Sequence, residues 1–214
     1  MIKREFPYIY ATWLAPLLSG DNSCEWAVWF KAHFEDYQKL KSKYNFAKWK
    51  REHTALLKAS RADLQKQGCE VWTEGQNKFA LEGTFATLGG KPDLVWTYGD
   101  DYVVDDMKSG QQRDSHMPQV QIYMYALPRF FERFRGKRFR GRLIYADGDI
   151  VDIPAETIDI GFITELGAVI KRLAADKPAI KVPSANECGF CEITPNDCPE
   201  RIDEEVLPVK TSDF

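Results

Sequence analysis

Two aspartates and a lysine, Asp93, Asp106 and Lys108, lie close together in residues 89–110, GGKPDLVWTYGDDYVVDDMKSG. Two carboxylates pressed together repel each other, and a divalent cation between them removes the repulsion. Mg²⁺ and Mn²⁺ prefer oxygen ligands of this kind. A lysine beside them can position a water or stabilise charge on a phosphate oxygen. These residue types therefore predict a metal site suited to chemistry on a phosphate.

A β-hairpin would bring the two carboxylates together. Two apolar runs, residues 94–96 and 102–104, flank a segment rich in glycine and aspartate, which are typical turn residues. A turn centred on residues 99–100 places Asp93 opposite Asp106 in an antiparallel pair. Opposite residues on one face of such a pair have Cβ atoms about 4.5–5.5 Å apart, which is close enough for both to bind one cation.

Side-chain alternation decides which neighbours share this face. Lys108 lies two residues beyond Asp106 and points the same way, whereas Asp105 points to the opposite face, where we expect a hydrogen bond. The alternative is that the triplet lies on a solvated hairpin face and binds no metal. An acid-x-Lys triplet is expected by chance about once or twice in a chain of this size, since about a quarter of residues are charged. The opposite aspartate and the strand end at Ser109–Gly110 favour the metal site.

Three of the five cysteines, Cys188, Cys191 and Cys198, lie in the segment CGFCEITPNDCPE, whose turn-forming residues suit a metal-wrapping loop. Cys24, far upstream, is the natural fourth ligand, and Cys69 is predicted to be a small core residue. Four thiolates suit either Zn²⁺ or an iron–sulfur cluster. A zinc site more often has two Cys-x-x-Cys pairs, and either group would tie the two ends of the chain together.

The elements that must position these residues follow from periodicity. Residues 8–35 are predicted to form two helices separated at residues 20–23, where an Asp-Asn-Ser cluster would cap the second, with Cys24 in its first turn. Residues 46–67 predict an amphipathic helix that carries His53, and a lone helical histidine is commonly an ordinary surface or core residue. Residues 70–88 predict a pair of strands that leads into the hairpin.

A further helix is predicted after Ser115, with Pro128 near its end. Gln119 and Tyr123 are four residues apart, so they share a face of this helix. From spacing alone, an ordinary amphipathic helix is an equally good interpretation. Residues 143–154 then predict another hairpin, and residues 157–175 a final amphipathic helix.

A strongly basic stretch, RFFERFRGKRFRGR, occupies residues 129–142. Its arginines and lysine alternate with phenylalanines, which is typical of a phosphate-binding surface with base-stacking rings. A solvated turn whose phenylalanines face the core explains the pattern equally well.

Composition predicts a single domain, since 214 residues with 44% hydrophobic content can bury one well-packed core. The net charge of −3 argues against a protein that coats nucleic acid through a generally basic surface. No 18-residue apolar run or signal peptide is present, so we expect a cytoplasmic protein that has no membrane partner and no disulfides.

Three motifs, GGKPDLV, VVDDMKSG and PQVQIYMYAL, resemble in order and spacing the RecB-like branch of the PD-(D/E)XK nucleases. The cysteine segment with its upstream partner resembles the iron–sulfur members of that branch, the CRISPR-associated RecB-like nuclease family and the AddB nuclease domain. The resemblance spans roughly residues 8–200. It implies a restriction-endonuclease-like α/β core, a central mixed β-sheet flanked by helices.

The resemblance also implies roles for residues. Asp93 and Asp106 would bind Mg²⁺ or Mn²⁺, Lys108 would be the catalytic lysine, and the helix motif of Gln119 and Tyr123 would lie beside the active site and contact DNA. The family often has a histidine ligand on an early helix, which implies His53; Glu52 and Glu82 are the alternatives. The cysteines Cys24, Cys188, Cys191 and Cys198 would bind a four-iron four-sulfur cluster, with Zn²⁺ as the alternative.

We therefore expect one nuclease domain, in which residues 1–45 and 176–202 form a cluster-bearing helical subdomain and residues 203–214 a tail. The expected activity is metal-dependent DNA hydrolysis, as an exonuclease acting on single-stranded DNA or DNA ends. One alternative is a DNA-end-binding module that acts only with partners in a CRISPR adaptation or recombination complex. Another is a zinc-stapled nuclease or DNA-binding protein. Phage recombination, repair and CRISPR spacer capture are all compatible pathways.

Overall fold

The computed structural model describes residues 1–41 and 45–202. These residues form both helices and strands. In chain order they are β1 (Ile2–Lys3), β2 (Tyr8–Tyr10), α1 (Ala11–Ser19), α2 (Glu25–His33), β3 (Phe34–Glu35), α3 (Phe46–Lys66), β4 (Glu70–Thr73), α4 (Glu74–Asn77), β5 (Phe79–Glu82), β6 (Thr87–Gly90), β7 (Leu94–Tyr98), β8 (Asp101–Lys108), α5 (His116–Phe130), β9 (Phe139–Tyr145), β10 (Ile150–Ile153), α6 (Ile160–Leu173) and α7 (Ala185–Phe190).

A five-stranded mixed sheet of order β10-β9-β8-β7-β4 forms the centre of the fold. Its strands β8 and β9 are parallel, and the other neighbouring pairs are antiparallel. The predicted hairpin register is confirmed, because Leu94 pairs with Asp105 and Tyr98 with Asp101. Gly99 has a φ of 59° in the turn, a conformation that glycine adopts without strain. The end of β8 therefore carries Asp106 and Lys108 into the middle of the sheet.

Helices cover both faces of this sheet. On one face, Leu64 of α3 packs with Leu94, Trp96, Val103 and Met107. On the other face, α5 packs against β8 and β9 within the main core.

The approach of α5 to β9 depends on a glycine. A Cβ atom on Gly141 would lie 2.4 Å from Cγ1 of Val120, so any larger residue there would push the helix outward. The close contact holds α5, which carries Gln119 and Tyr123, directly over the sheet.

A smaller sheet accounts for one difference from the sequence predictions. The strands β2, β6 and β5 form a three-stranded sheet, in which β2 and β6 are parallel. Residues 8–10 are therefore a strand, not part of a helix. The strand pair predicted in residues 70–88 is present as β5 and β6, which are antiparallel and precede the hairpin. Residues 70–73 form a further strand, β4, which joins the main sheet and is separated from β5 by the helical turn α4.

The basic stretch at residues 129–142 has a largely structural role. Two of its phenylalanines, Phe134 and Phe139, are buried in the core. Four of its arginines form ion pairs: Arg135 with Glu132, Arg138 with Glu156, Arg140 with Asp152 and Arg142 with Asp105. The core-facing interpretation therefore describes these phenylalanines better than a base-stacking surface does.

Two further predictions concern the ends of the chain. Cys24 is the N-cap of α2, one position before its first turn, and its side chain makes no capping hydrogen bond. The predicted tail at residues 203–214 lies outside the described residues. Within the part of the chain that the structure describes, no helix combines the length and apolar character needed to cross a membrane.

Candidate active site

The three charged residues predicted from the hairpin meet at the end of β8. Asp93 and Asp106 are both buried, and Lys108 Nζ lies 2.6 Å from Asp106 Oδ2. Asp93 Oδ2 accepts a hydrogen bond of 2.7 Å from the backbone N–H of Met107, which fixes this carboxylate against β8. Burial raises the pKa of Asp106, and the nearby Lys108 opposes that rise. A divalent cation between Asp93 and Asp106 would favour the charged form of both carboxylates.

A glutamine on α5 connects the lysine to the carboxylate. Lys108 Nζ donates to Gln119 Oε1 at 3.0 Å, and Gln119 Nε2 donates to Asp106 Oδ1 at 3.1 Å. The same Nε2 lies 3.0 Å from the hydroxyl of Tyr123, one turn further along the helix. Gln119 and Tyr123, which were predicted from their spacing to share a face of this helix, therefore lie inside the site. There Gln119 holds Lys108 in one orientation.

His53 reaches the site from α3 and is buried there. Its Nε2 lies 3.1 Å from Asp93 Oδ2, and this hydrogen bond raises the pKa of His53, against the opposing effect of burial. The Trp49 ring stacks on the imidazole, with ring centroids 5.0 Å apart. The structure therefore brings His53 to the carboxylates, where a histidine can serve as a ligand.

Glu74 is a site residue that sequence reasoning missed. The ligand atoms of His53, Glu74 and Asp93 all lie within 4.8 Å of one another. Glu74 begins α4, where Thr73 N–H donates to Gln76 Oε1 at 3.0 Å. This Thr-x-x-Gln pattern is a capping box, and it is the sequence signal that could have placed Glu74 in a first helical turn.

The two acids considered from sequence as alternative ligands lie elsewhere. Glu52 is exposed on α3 and lies 3.9 Å from Lys48. Glu82 is exposed at the end of β5. Neither lines the cleft of about 510 Å³ that contains His53 and Asp106.

The donor set fits a hard divalent cation. Among the described residues, Asp106 Oδ2 is one of the buried oxygens that lack a hydrogen bond of good geometry, although Lys108 is near it. Three carboxylates and one imidazole line the same cleft. Oxygen-rich donor sets of this type suit Mg²⁺ and Mn²⁺ better than soft metals.

The four cysteines predicted to act together also converge. Cys24, Cys188, Cys191 and Cys198 line one cavity of about 130 Å³. All four are free thiols. Burial raises the pKa of Cys191 and of Cys198, and basic neighbours, including Lys31 and Lys181, oppose the rise. Cys69 packs instead beside the α3 core cluster, as predicted.

Residues 19–195 match the family described as the PD-(D/E)XK nuclease superfamily. No curated protein matches the sequence. The solved structure described as "Crystal structure of SSO0001" aligns over 89% of this chain and 85% of that chain, with 19% identity and a TM-score of 0.48.

Proposed function

This chain belongs to the PD-(D/E)XK nuclease superfamily, and we propose that it is a metal-dependent deoxyribonuclease that degrades single-stranded DNA or DNA ends. The observation that carries the proposal is the buried network of Asp106, Lys108 and Gln119 beside the His53, Glu74 and Asp93 group. We also assign the chain to the RecB-like branch, since Gln119 and Tyr123 complete that network from α5.

His53, Glu74, Asp93 and Asp106 are the residues that would hold Mg²⁺ or Mn²⁺. The bound cation would supply Lewis-acid activation of the attacking water and neutralise charge on the phosphate. The buried carboxylates favour such an ion because Lys108 alone does not balance Asp93 and Asp106. The hydrogen bond between His53 and Asp93 orients both side chains toward the same point.

Lys108 is the proposed catalytic lysine. Its ammonium group is held between Asp106 and Gln119 and is largely buried, so it remains directed into the cleft. From there it can hold the attacking water or donate to a non-bridging phosphate oxygen, whose charge grows in the transition state. Gln119 and Tyr123 position this lysine and need not touch the reacting atoms.

Two partly exposed rings in the cleft support a single-stranded substrate. Tyr10 is 39% exposed and Trp49 is 37% exposed, and both line the same cleft as the carboxylates. Exposed aromatic rings stack on unpaired bases. Lys78 is exposed at the cleft and can contact a backbone phosphate. An unpaired strand or a frayed end is therefore the substrate that this cleft fits best.

The Trp49→Ala variant tests this substrate assignment. We expect its rate on single-stranded DNA to fall about tenfold, since stacking on one base contributes about 1–3 kcal/mol, and Trp49→Phe to retain most of the rate. Bis(p-nitrophenyl) phosphate has no base to stack, so its hydrolysis should be nearly unchanged in both variants. Equal losses on both substrates would instead mean that Trp49 acts only through His53, and the assignment would be wrong.

We propose that the four cysteines bind a four-iron four-sulfur cluster. We also propose that residues 1–45 and 176–202 form the cluster-bearing part of one nuclease domain. Cys24, Cys188, Cys191 and Cys198 line one cavity, so both ends of the chain can supply thiolates to a single metal group. Zn²⁺ is the alternative at the same four thiolates.

Replacing Cys191 with serine is the test of the cluster. We expect the variant to lose most of its bound iron and its visible absorbance, and to unfold at a lower temperature, because the cluster would join the two ends of the chain. Cys69→Ser is the matched control and should keep the native iron content. A colourless native protein that contains one zinc per chain would refute the cluster and leave the nuclease assignment intact.

A further inference from the structure

One carboxylate joins the C-terminal cysteine segment to the loop before α2. Glu187 is next to Cys188 on α7, and its side chain accepts the backbone N–H groups of Ser23 at 3.0 Å and Cys24 at 3.1 Å. The N–H of Glu187 itself donates to Ser184 Oγ at 3.2 Å, which fixes the first turn of α7. The loop at residues 20–24 is therefore fastened to the segment that carries three of the four cysteines.

A second carboxylate joins the same loop to α5. Asp21 Oδ2 accepts the backbone N–H of Ser115 at 3.0 Å. Ser115 is the N-cap of α5 and is buried, yet its own side chain makes no capping hydrogen bond. The Gln119 N–H bonds to the Ser115 carbonyl at 3.3 Å. Asp21 is thus attached to the turn of α5 that carries Gln119.

The loop between the two carboxylates is short and has its own hydrogen bonds. Gly20 ends α1 with a φ of 80°. Asp21 N–H donates to Ser19 Oγ at 3.2 Å, and Asn22 N–H donates to the Pro16 carbonyl at 2.9 Å. Only Asn22 separates Asp21 from Ser23, so a shift of Ser23 would move the carboxylate that holds α5.

We propose that Glu187 and Asp21 form a clip that makes the position of α5, and with it Gln119 and Lys108, depend on the cysteine segment. Both are positioning residues, since neither touches the cleft. Release of the clip would let Gln119 withdraw from Lys108 and would lower the turnover number. That last consequence rests on the proposed nuclease function, whereas the coupling itself does not.

Hydrogen exchange tests the coupling without any activity. We expect Asp21→Ala and Glu187→Ala each to raise the rate of backbone hydrogen exchange in peptides that cover residues 113–120 by about tenfold. This is the effect expected when one hydrogen bond to a charged group is lost. Asp21→Asn keeps an acceptor and should restore most of the protection. Glu200→Ala is the matched control in the same cysteine segment, because Glu200 pairs with Lys181 and not with the loop.

Two results would overturn the clip. Native exchange at residues 113–120 in Asp21→Ala would show that Asp21 does not hold α5. A hydrogen-exchange rate at residues 113–120 that is unchanged in Glu187→Ala but raised in Asp21→Ala would show that the cysteine segment is not coupled to the helix. If Glu187→Ala does not fold, Glu187→Gln, which can accept one of the two N–H groups, should give an intermediate rise, and native exchange in that variant would count against the clip equally.

Kinetic measurements on single-stranded DNA test whether the clip affects catalysis. We expect Asp21→Ala to lower kcat with little change in KM, and the double variant with Glu187→Ala to be no slower than the slower single variant, because the two residues act in series. Additive losses would contradict the series arrangement. A protein with no nuclease activity would refute the proposed function, and the exchange result would still decide the clip.

Discussion

Replacing Lys108 with alanine is expected to slow metal-dependent DNA cleavage about 100-fold or more, the usual effect of removing one preorganised donor to developing charge. The side chain is held by Asp106 and Gln119 at the end of β8, so the substitution removes a donor that is already positioned in the cleft. Single-turnover cleavage of a labelled single strand measures the loss.

Two measurements separate catalysis from metal binding and folding in this variant. Mn²⁺ affinity, measured by calorimetry, should be retained, because removing a positive charge does not weaken a cation site. Lys66→Ala is the matched control, since Lys66 pairs with Asp63 on the surface of α3, away from the cleft. Turnover of Lys108→Ala at the native rate would rule out the role assigned to this lysine.

The second large effect concerns stability. Arg142 donates to both oxygens of Asp105, at 2.8 and 2.7 Å, and Trp96 Nε1 donates to Asp105 Oδ2 at 2.9 Å. Asp105 is completely buried. Arg142→Ala leaves that carboxylate without its counter-charge, so we expect the free energy of unfolding to fall by about 3–5 kcal/mol. Urea denaturation of the metal-free protein measures it.

Arg140 provides the matched comparison two residues away on the same strand. It lies 3.4 Å from Asp152, and the two side chains are 38% and 70% exposed. Arg140→Ala should therefore cost less than about 1 kcal/mol. Similar losses for the two arginine variants would contradict the structural role given to the Asp105 network.

The parts of this protein that could be predicted from sequence are those set by local pattern. The turn at Gly99–Asp100 and strand alternation fix the pairing of β7 with β8, so the register and the opposite directions of Asp105 and Asp106 follow from residue order. The helix that carries His53 was predicted over residues 46–67 from its amphipathic period, and in the structure it spans residues 46–66. The PD-(D/E)XK fold expected from the motifs is also confirmed.

Long-range contacts account for what could not be predicted. Glu74 enters the site because β4 pairs with β7, which no local pattern specifies. Long-range contacts also explain why the N-terminus of α2 is not capped as predicted. The Asp-Asn-Ser cluster does not cap its own helix, since Asp21 binds Ser115 and a distant glutamate, Glu187, holds the N–H of Cys24. A sequence shows which side chains can accept a hydrogen bond, but not which distant partner reaches them.

Digestion of end-labelled single-stranded DNA with Mn²⁺ is the most direct test of the central claim. The native protein and the Asp106→Ala variant are compared, with Asp100→Ala as the control because Asp100 is an exposed residue in the turn of the same hairpin. We predict metal-dependent shortening of the strand by the native protein and the Asp100→Ala control, and none by Asp106→Ala. Undiminished degradation by Asp106→Ala, or no degradation by the native protein with any divalent metal, would contradict the assignment of this cleft as a nuclease active site.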